Sequence, residues 1–288
     1  MKDQTKAEQQ PETPTRPVYR PAVVTFLDIL GFSSLVKNGT AEEVAKVLST
    51  LRRFAESKQF KEPDDTDAIS LNFSDCIIRI RFLDGINQQQ PIGHLFHEIL
   101  DLVHIQGELV PHRILIRGGM TMGDICATGS TVFGPAMVTA YELESRSAIY
   151  PRIVIDPVLL NSVRVDHRLR AADNSVDYEL QAIRNLIRRG ESGAWFVDYL
   201  RASFAELDEP EDWHVLLANH QELIQKRYQG PGRTAYLDKI LWLATYHNDV
   251  VSEIPTKSFD HNGLLRDDFI VKTKDIPELA RMPKRKRE

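Results

Sequence analysis

Two aspartates, each at the end of an apolar run, have the positions best suited to chemistry. Asp28 follows the run Val23–Leu27, and a glycine turn at Gly31 comes directly after it. Asp75 lies in a short polar break, Ser74-Asp75, between two strand-like runs. Carboxylates on neighbouring strand ends can hold a pair of hard divalent cations, which activate a hydroxyl and neutralise a triphosphate. We therefore predict a two-cation site; the alternative for Asp75 is an ordinary turn residue.

Strand and helix patterns alternate over the first half of the chain and must position these acids. Apolar periodicity and turn residues predict strands at 22–28, 68–73, 76–82, 114–123 and 153–155, and helices at 40–58, 91–106 and from 135 to about 145. This order predicts an α+β sandwich with helices on one face of the sheet. Ser74-Asp75 is then the tip of a hairpin.

The rest of the chain divides by composition. We predict a disordered N-terminal arm at 1–20, a catalytic domain at 21–160, a mostly helical extension packed on the core at 161–280, and a basic tail at 281–288. Two long helices, at roughly 212–228 and 233–249, dominate the extension.

Composition narrows the function classes. The chain has 288 residues, of which 42% are hydrophobic and 27% charged, as in ordinary globular proteins. A net charge of −5 disfavours a stable nucleic-acid partner, although a nucleotide substrate fits if cations supply positive charge. Cys76 and Cys126 form neither a disulfide framework nor a zinc pattern. With no long apolar run and no signal-peptide pattern, we expect a cytoplasmic protein without direct membrane insertion.

Four motifs in order over residues 22–155 resemble the catalytic domain of class III nucleotidyl cyclases. They are Phe26–Ser33, Ser74–Cys76, Ile116–Gly123, and Val132–Gly134 leading into Ala140–Ser145. The resemblance implies a ferredoxin-like βαββαβ core and a helical C-terminal extension beyond it. It also implies a head-to-tail homodimer whose active sites lie at the subunit interface.

The resemblance also assigns roles to site residues. Asp28 and Asp75 would bind two Mg²⁺ or Mn²⁺ ions, with the main-chain carbonyl of Ile29 as an added ligand. Arg117 matches the arginine that contacts the triphosphate, a role that suits its planar fork of donors. The reaction implied is attack of the ribose 3′-hydroxyl on the α-phosphate of a nucleoside triphosphate, with pyrophosphate leaving.

Departures from the family concern the base. Leu71 lies four residues before Asp75, and Thr131 three before Gly134, where purine cyclases carry their base-reading side chains. Leucine offers no hydrogen bond, while threonine can donate or accept one. The pattern resembles the pyrimidine cyclases of bacterial Pycsar anti-phage systems, which implies cyclic UMP or cyclic CMP as product and a separate effector. Phe32 either stacks on the nucleotide or belongs to the core.

A second departure concerns the transition state. Val138 and Glu142 stand where the family has an asparagine and an arginine that stabilise developing charge. Either other cations take over this role, with Arg117 and Arg146 as candidates, or the chemistry is lost. The alternatives left open are therefore an adenylate or guanylate cyclase with unfamiliar base contacts, and a catalytically silent cyclase-like module that binds nucleotide for regulation.

Overall fold

The computed structural model describes residues 17–55, 68–84, 90–128, 131–207, 209–229, 233–259, 263–272 and 274–276. Within these ranges the strands are β1 (Arg20–Ile29), β2 (Ala68–Phe73), β3 (Cys76–Phe82), β4 (Ile116–Thr128), β5 (Thr131–Phe133), β6 (Ile153–Ile155), β7 (Ile187–Arg189) and β8 (Trp195–Val197). The α-helices are α1 (Phe32–Asn38), α2 (Ala41–Ala55), α3 (His94–Leu109), α4 (Pro135–Glu142), α5 (Pro157–Ser162), α6 (Val176–Leu186), α7 (Tyr199–Glu206), α8 (Pro210–Gln229) and α9 (Arg233–Glu253). Most of the predicted N-terminal arm and all of the predicted basic tail lie outside the described residues.

One sheet organises the molecule. Its strands run in the order β2-β3-β1-β4-β6-β8-β7, and β5 pairs with β4. The pairs β1–β3, β1–β4 and β2–β3 are all antiparallel, which is the ferredoxin-like arrangement. The predicted α+β fold with a βαββαβ core is confirmed. Beyond residue 160 the sheet continues, because β8 pairs with β6 and β7 pairs with β8.

The two faces of the sheet are covered differently. Successive side chains of β1 point to opposite faces, so Val23 and Leu27 join the larger core under the main group of helices. Val24 and Phe26 join a smaller cluster on the other face, which Ala140 of α4 covers. The expectation that helices lie on only one face is therefore wrong for α4.

The C-terminal helices enclose a chain of buried polar groups. The Tyr199 hydroxyl is 2.6 Å from His220 Nε2, His220 Nδ1 is 2.9 Å from His247 Nδ1, and His247 Nε2 is 2.6 Å from the Phe269 carbonyl. Because the carbonyl only accepts, His247 donates to it, His220 donates to His247, and Tyr199 donates to His220. Among the described residues, no helix combines the length and apolarity needed to cross a membrane.

Candidate active site

Strand register places Asp28 between two functional groups. At the end of β1, Asp28 lies opposite Cys76 of β3 on one side and Arg117 of β4 on the other. Directly opposed residues of antiparallel strands hold their side chains next to each other. Asp75 precedes Cys76 in a two-residue turn, where Ser74 has a left-handed φ of 54°. The turn and the register together bring both aspartates to one end of the sheet.

The two aspartates converge closely enough to share cations. Ligand atoms of Asp28, Asp75 and Cys76 all lie within 4.8 Å of one another. Burial raises the pKa of the Cys76 thiol to about 12, and the nearby Asp28 and Asp75 add to the shift. A thiol that stays protonated is a poor ligand, whereas carboxylate oxygens suit hard ions such as Mg²⁺ and Mn²⁺. The Ile29 side chain is a hydrocarbon buried in the core, and the residue's only possible ligand atom is its main-chain carbonyl oxygen.

Arg117 bridges two carboxylates at this site. Its Nε donates to Asp28 Oδ2 at 3.0 Å, and its Nη2 lies 2.7 Å from Glu144 Oε1. Burial raises the pKa of Asp28, an effect that Arg117 opposes and Asp75 reinforces. The guanidinium therefore offsets the negative charge that would otherwise accumulate among the acids.

Glu144 is a site residue that the sequence analysis did not predict. It lies in the π-helical turn Leu143–Ser147 that continues α4, and only 3% of its side chain is exposed. Gly119 of β4 makes this approach possible, because a Cβ there would lie 2.3 Å from the Ala140 carbonyl oxygen and 2.8 Å from Glu144 N. A glycine within a strand, which often marks close backbone approach, was the available signal.

A lysine from the C-terminal helices also belongs to this neighbourhood. Lys239 of α9 is half-buried, and the next residue, Ile240, lines a cleft of about 800 Å³ together with Gly31 of the turn after β1. Burial lowers the pKa of Lys239, with Arg117 adding to the shift and Asp28 opposing it. Sequence patterns could not find this residue, because it lies on a helix far from the motifs along the chain.

The predicted nucleotide contacts are spread over the chain. Phe32 is half-buried and packs against the larger core, while Leu71 packs against the smaller cluster. Thr131 is exposed and pairs with Thr128, which lies eleven residues beyond Arg117, or about 36 Å of strand. A single chain therefore brings Asp28, Asp75 and Arg117 together but leaves Thr131 remote from them.

The positions of the missing transition-state residues lie on the surface. Val138 is 59% exposed. Glu142 and Arg146 form an ion pair at 3.2 Å, and 75% of the Arg146 side chain is exposed. Within one chain, Arg146 therefore does not join the buried group around Arg117.

Comparison with solved structures finds proteins of similar fold. The chain is similar to a solved class III adenylyl cyclase-like ATP-binding protein from Pseudomonas aeruginosa, with 13% sequence identity and a TM-score of 0.38. The similarity covers 59% of this chain and 42% of that one. No protein-family model matches the sequence, and no curated protein matches it.

Proposed function

We propose that the chain is a nucleotidyl cyclase that converts UTP or CTP into the 3′,5′-cyclic monophosphate and pyrophosphate. The observation that carries this proposal is the convergence of the Asp28 and Asp75 carboxylates beside Arg117. Held by the two aspartates with the Ile29 carbonyl, two Mg²⁺ or Mn²⁺ ions would lower the pKa of the ribose 3′-hydroxyl and neutralise charge on the phosphates.

The chain's own cations have a defined part in this reaction. Arg117 carries several donors in one plane and can bind phosphate oxygens with two parallel hydrogen bonds. Lys239 adds a second positive charge, close enough for Arg117 and Asp28 to shift its pKa. We propose that this pair stabilises the developing charge in place of the family residues that Val138 and Glu142 replace.

The proposed specificity for pyrimidines rests on the absence of purine-binding side chains at the two positions expected to contact the base. Leu71 has no hydrogen-bonding group, and the Thr131 hydroxyl suits the Watson–Crick edge of either uracil or cytosine. A site without partners for a purine edge discriminates poorly in favour of purines. Together with the resemblance to Pycsar cyclases, this favours UTP, with the cyclic nucleotide acting as a messenger in anti-phage defence for a separate effector.

A head-to-tail homodimer is the arrangement this function requires. Thr131 lies about 36 Å of strand from the level of Arg117, so it can approach a bound base only from a second copy. Large apolar side chains are exposed at the end of β2 and on α4: Phe73 is 77% exposed, Val138 59% and Tyr141 52%. Exposed apolar side chains of this size are common on interaction surfaces, which supports pairing of two copies.

Turnover assays test the proposal. Purified protein is incubated with each labelled triphosphate and Mn²⁺, and we expect cyclic product from UTP or CTP. Asp75→Asn should lower turnover by more than about a hundredfold, since even residues that only support metal ligands contribute about 10- to 100-fold. Asp124→Asn, at an exposed aspartate of β4, is the matched control and should keep full activity. A product from ATP alone would overturn the pyrimidine assignment.

A silent nucleotide-binding module is the second candidate. The observation in its favour is the ion pair in which Arg117 already partly neutralises Asp28 by donating to Oδ2, one of its two carboxylate oxygens. Cation-dependent nucleotide binding without turnover of any triphosphate would favour this candidate over the enzyme.

A further inference from the structure

Arg117 has two carboxylate partners of unequal burial. Asp28 is 16% exposed and stands at the end of a strand, whereas Glu144 is only 3% exposed. The contact to Glu144 is the shorter of the two, at 2.7 Å against 3.0 Å. The attraction between opposite charges is stronger where water is excluded, so Glu144 is the firmer ion-pair partner for the guanidinium.

The two partners also face different demands. A divalent cation bound to Asp28 would compete with Arg117 for the negative charge of that carboxylate, because both are positive. An arginine cannot lose its charge in a protein, so it needs another anion or leaves the site. Glu144 already holds the Nη2 end of the same side chain.

We infer that Glu144 is a positioning residue that keeps Arg117 at the site when Asp28 turns to a divalent cation. This inference rests on the proposed function. In that state Nη2 stays on Glu144, and the Nε–H group released from Asp28 is free to meet an anionic phosphate. Glu144 therefore serves both cation binding and phosphate binding without contacting either ligand.

The backbone around Glu144 is built to fix it. Gly119 allows the end of α4 to lie directly on β4, and the π-helical turn redirects the chain at Leu143. π-Helical turns are rare and occur often at functional sites. A carboxylate held in this way can retain the guanidinium while Asp28 changes its partner.

The direct test is Mn²⁺ binding in the absence of nucleotide. The electron paramagnetic resonance signal of unbound Mn²⁺ measures this binding. Glu144→Gln keeps the size of the side chain but removes its charge, so Arg117 pairs with Asp28 alone and resists displacement. We expect Mn²⁺ affinity to fall about tenfold, within the range of about 10- to 100-fold for groups that support metal ligands. Glu142→Gln is the matched control, since Glu142 is a nearby glutamate at the surface, and should bind Mn²⁺ like wild type.

Double substitution separates positioning from direct ligation. In an Arg117→Met background, Glu144→Gln should cause no further loss of Mn²⁺ affinity if Glu144 acts through Arg117. A persisting tenfold loss in that background would overturn the inference, as would unchanged affinity in the single variant or no Mn²⁺ binding by the wild type. Glu144→Asp, which keeps the charge, should retain most of the Mn²⁺ affinity. This result would show that the loss in Glu144→Gln comes from the missing charge and not from misfolding. If the wild type cyclises no triphosphate, the proposed reaction is refuted. This inference still stands in that case if Glu144→Gln lowers Mn²⁺ affinity in the wild type but not in the Arg117→Met background.

Discussion

Replacing Gly119 by alanine should open the contact between β4 and α4. The added Cβ would lie 2.3 Å from the Ala140 carbonyl oxygen, 2.6 Å from Leu143 Cβ and 2.8 Å from Glu144 N, where ordinary contacts begin at 3.4 Å. None of these atoms can rotate away, so α4 and its π-helical turn must move by about 1 Å. Such a shift lengthens the ion pair between Arg117 Nη2 and Glu144 Oε1, which is now 2.7 Å, and so weakens it.

The expected cost follows from this overpacking. Inserting a methyl group into a packed contact costs about 1–3 kcal/mol of unfolding free energy, which urea unfolding measures directly. Gly107→Ala is the matched control: its Cβ would meet only Ser203 Oγ at 3.7 Å, in the last turn of α3. Alanine is the better helix former, so this control should gain up to about 1 kcal/mol.

Site function should change along with stability. Because Glu144 moves with the helix but keeps its charge, we expect Gly119→Ala to weaken Mn²⁺ binding, although less than Glu144→Gln does. If Gly119→Ala matched the wild type in stability to within about 0.5 kcal/mol and bound Mn²⁺ equally well, the role of the glycine in placing Glu144 would be refuted.

Further predictions concern the C-terminal helices. Lys239→Met should lower kcat/KM by about 10- to 100-fold, which is the effect of losing one hydrogen bond to a charged group. Lys226→Met on α8 is the control and should leave kcat/KM unchanged. Equal kcat/KM values for the two variants would contradict a phosphate role for Lys239. Burial lowers the pKa of His247 from 6.5 to about 4, so the folded chain keeps it neutral where the unfolded chain protonates it. The contribution of a neutral His247 to the free energy of unfolding is therefore fully present above pH 6.5. It falls by about 3 kcal/mol as the pH decreases to 4. Urea unfolding between pH 7 and pH 4 should show that the free energy of unfolding declines less steeply in His247→Asn than in the wild type. The control His104→Gln should decline like the wild type. A wild-type free energy of unfolding that does not change over this range would contradict the role given to His247.

The sequence predicted those features of the fold that depend on residues close together along the chain. Alternating apolar residues and a two-residue turn specify the β2–β3 hairpin, which puts Asp75 at its tip. An apolar run followed by the turn at Gly31 likewise places Asp28 at the end of β1. Each feature depends on neighbours along the chain, so periodicity and turn chemistry were enough to predict it.

What completes the site depends on contacts between distant segments. The register of β1 with β4 sets Asp28 opposite Arg117, and a one-residue slip would send the arginine to the other face. Glu144 reaches the site because α4 lies on the glycine of β4, and the residue after Lys239, Ile240 of α9, lines one cleft with Gly31 of the turn after β1. The sequence by itself determined the two acids and the strands that carry them, and the family resemblance added Arg117. Tertiary packing alone brought Glu144 and Lys239 to this group, because these two are held by burial and packing rather than by local propensity.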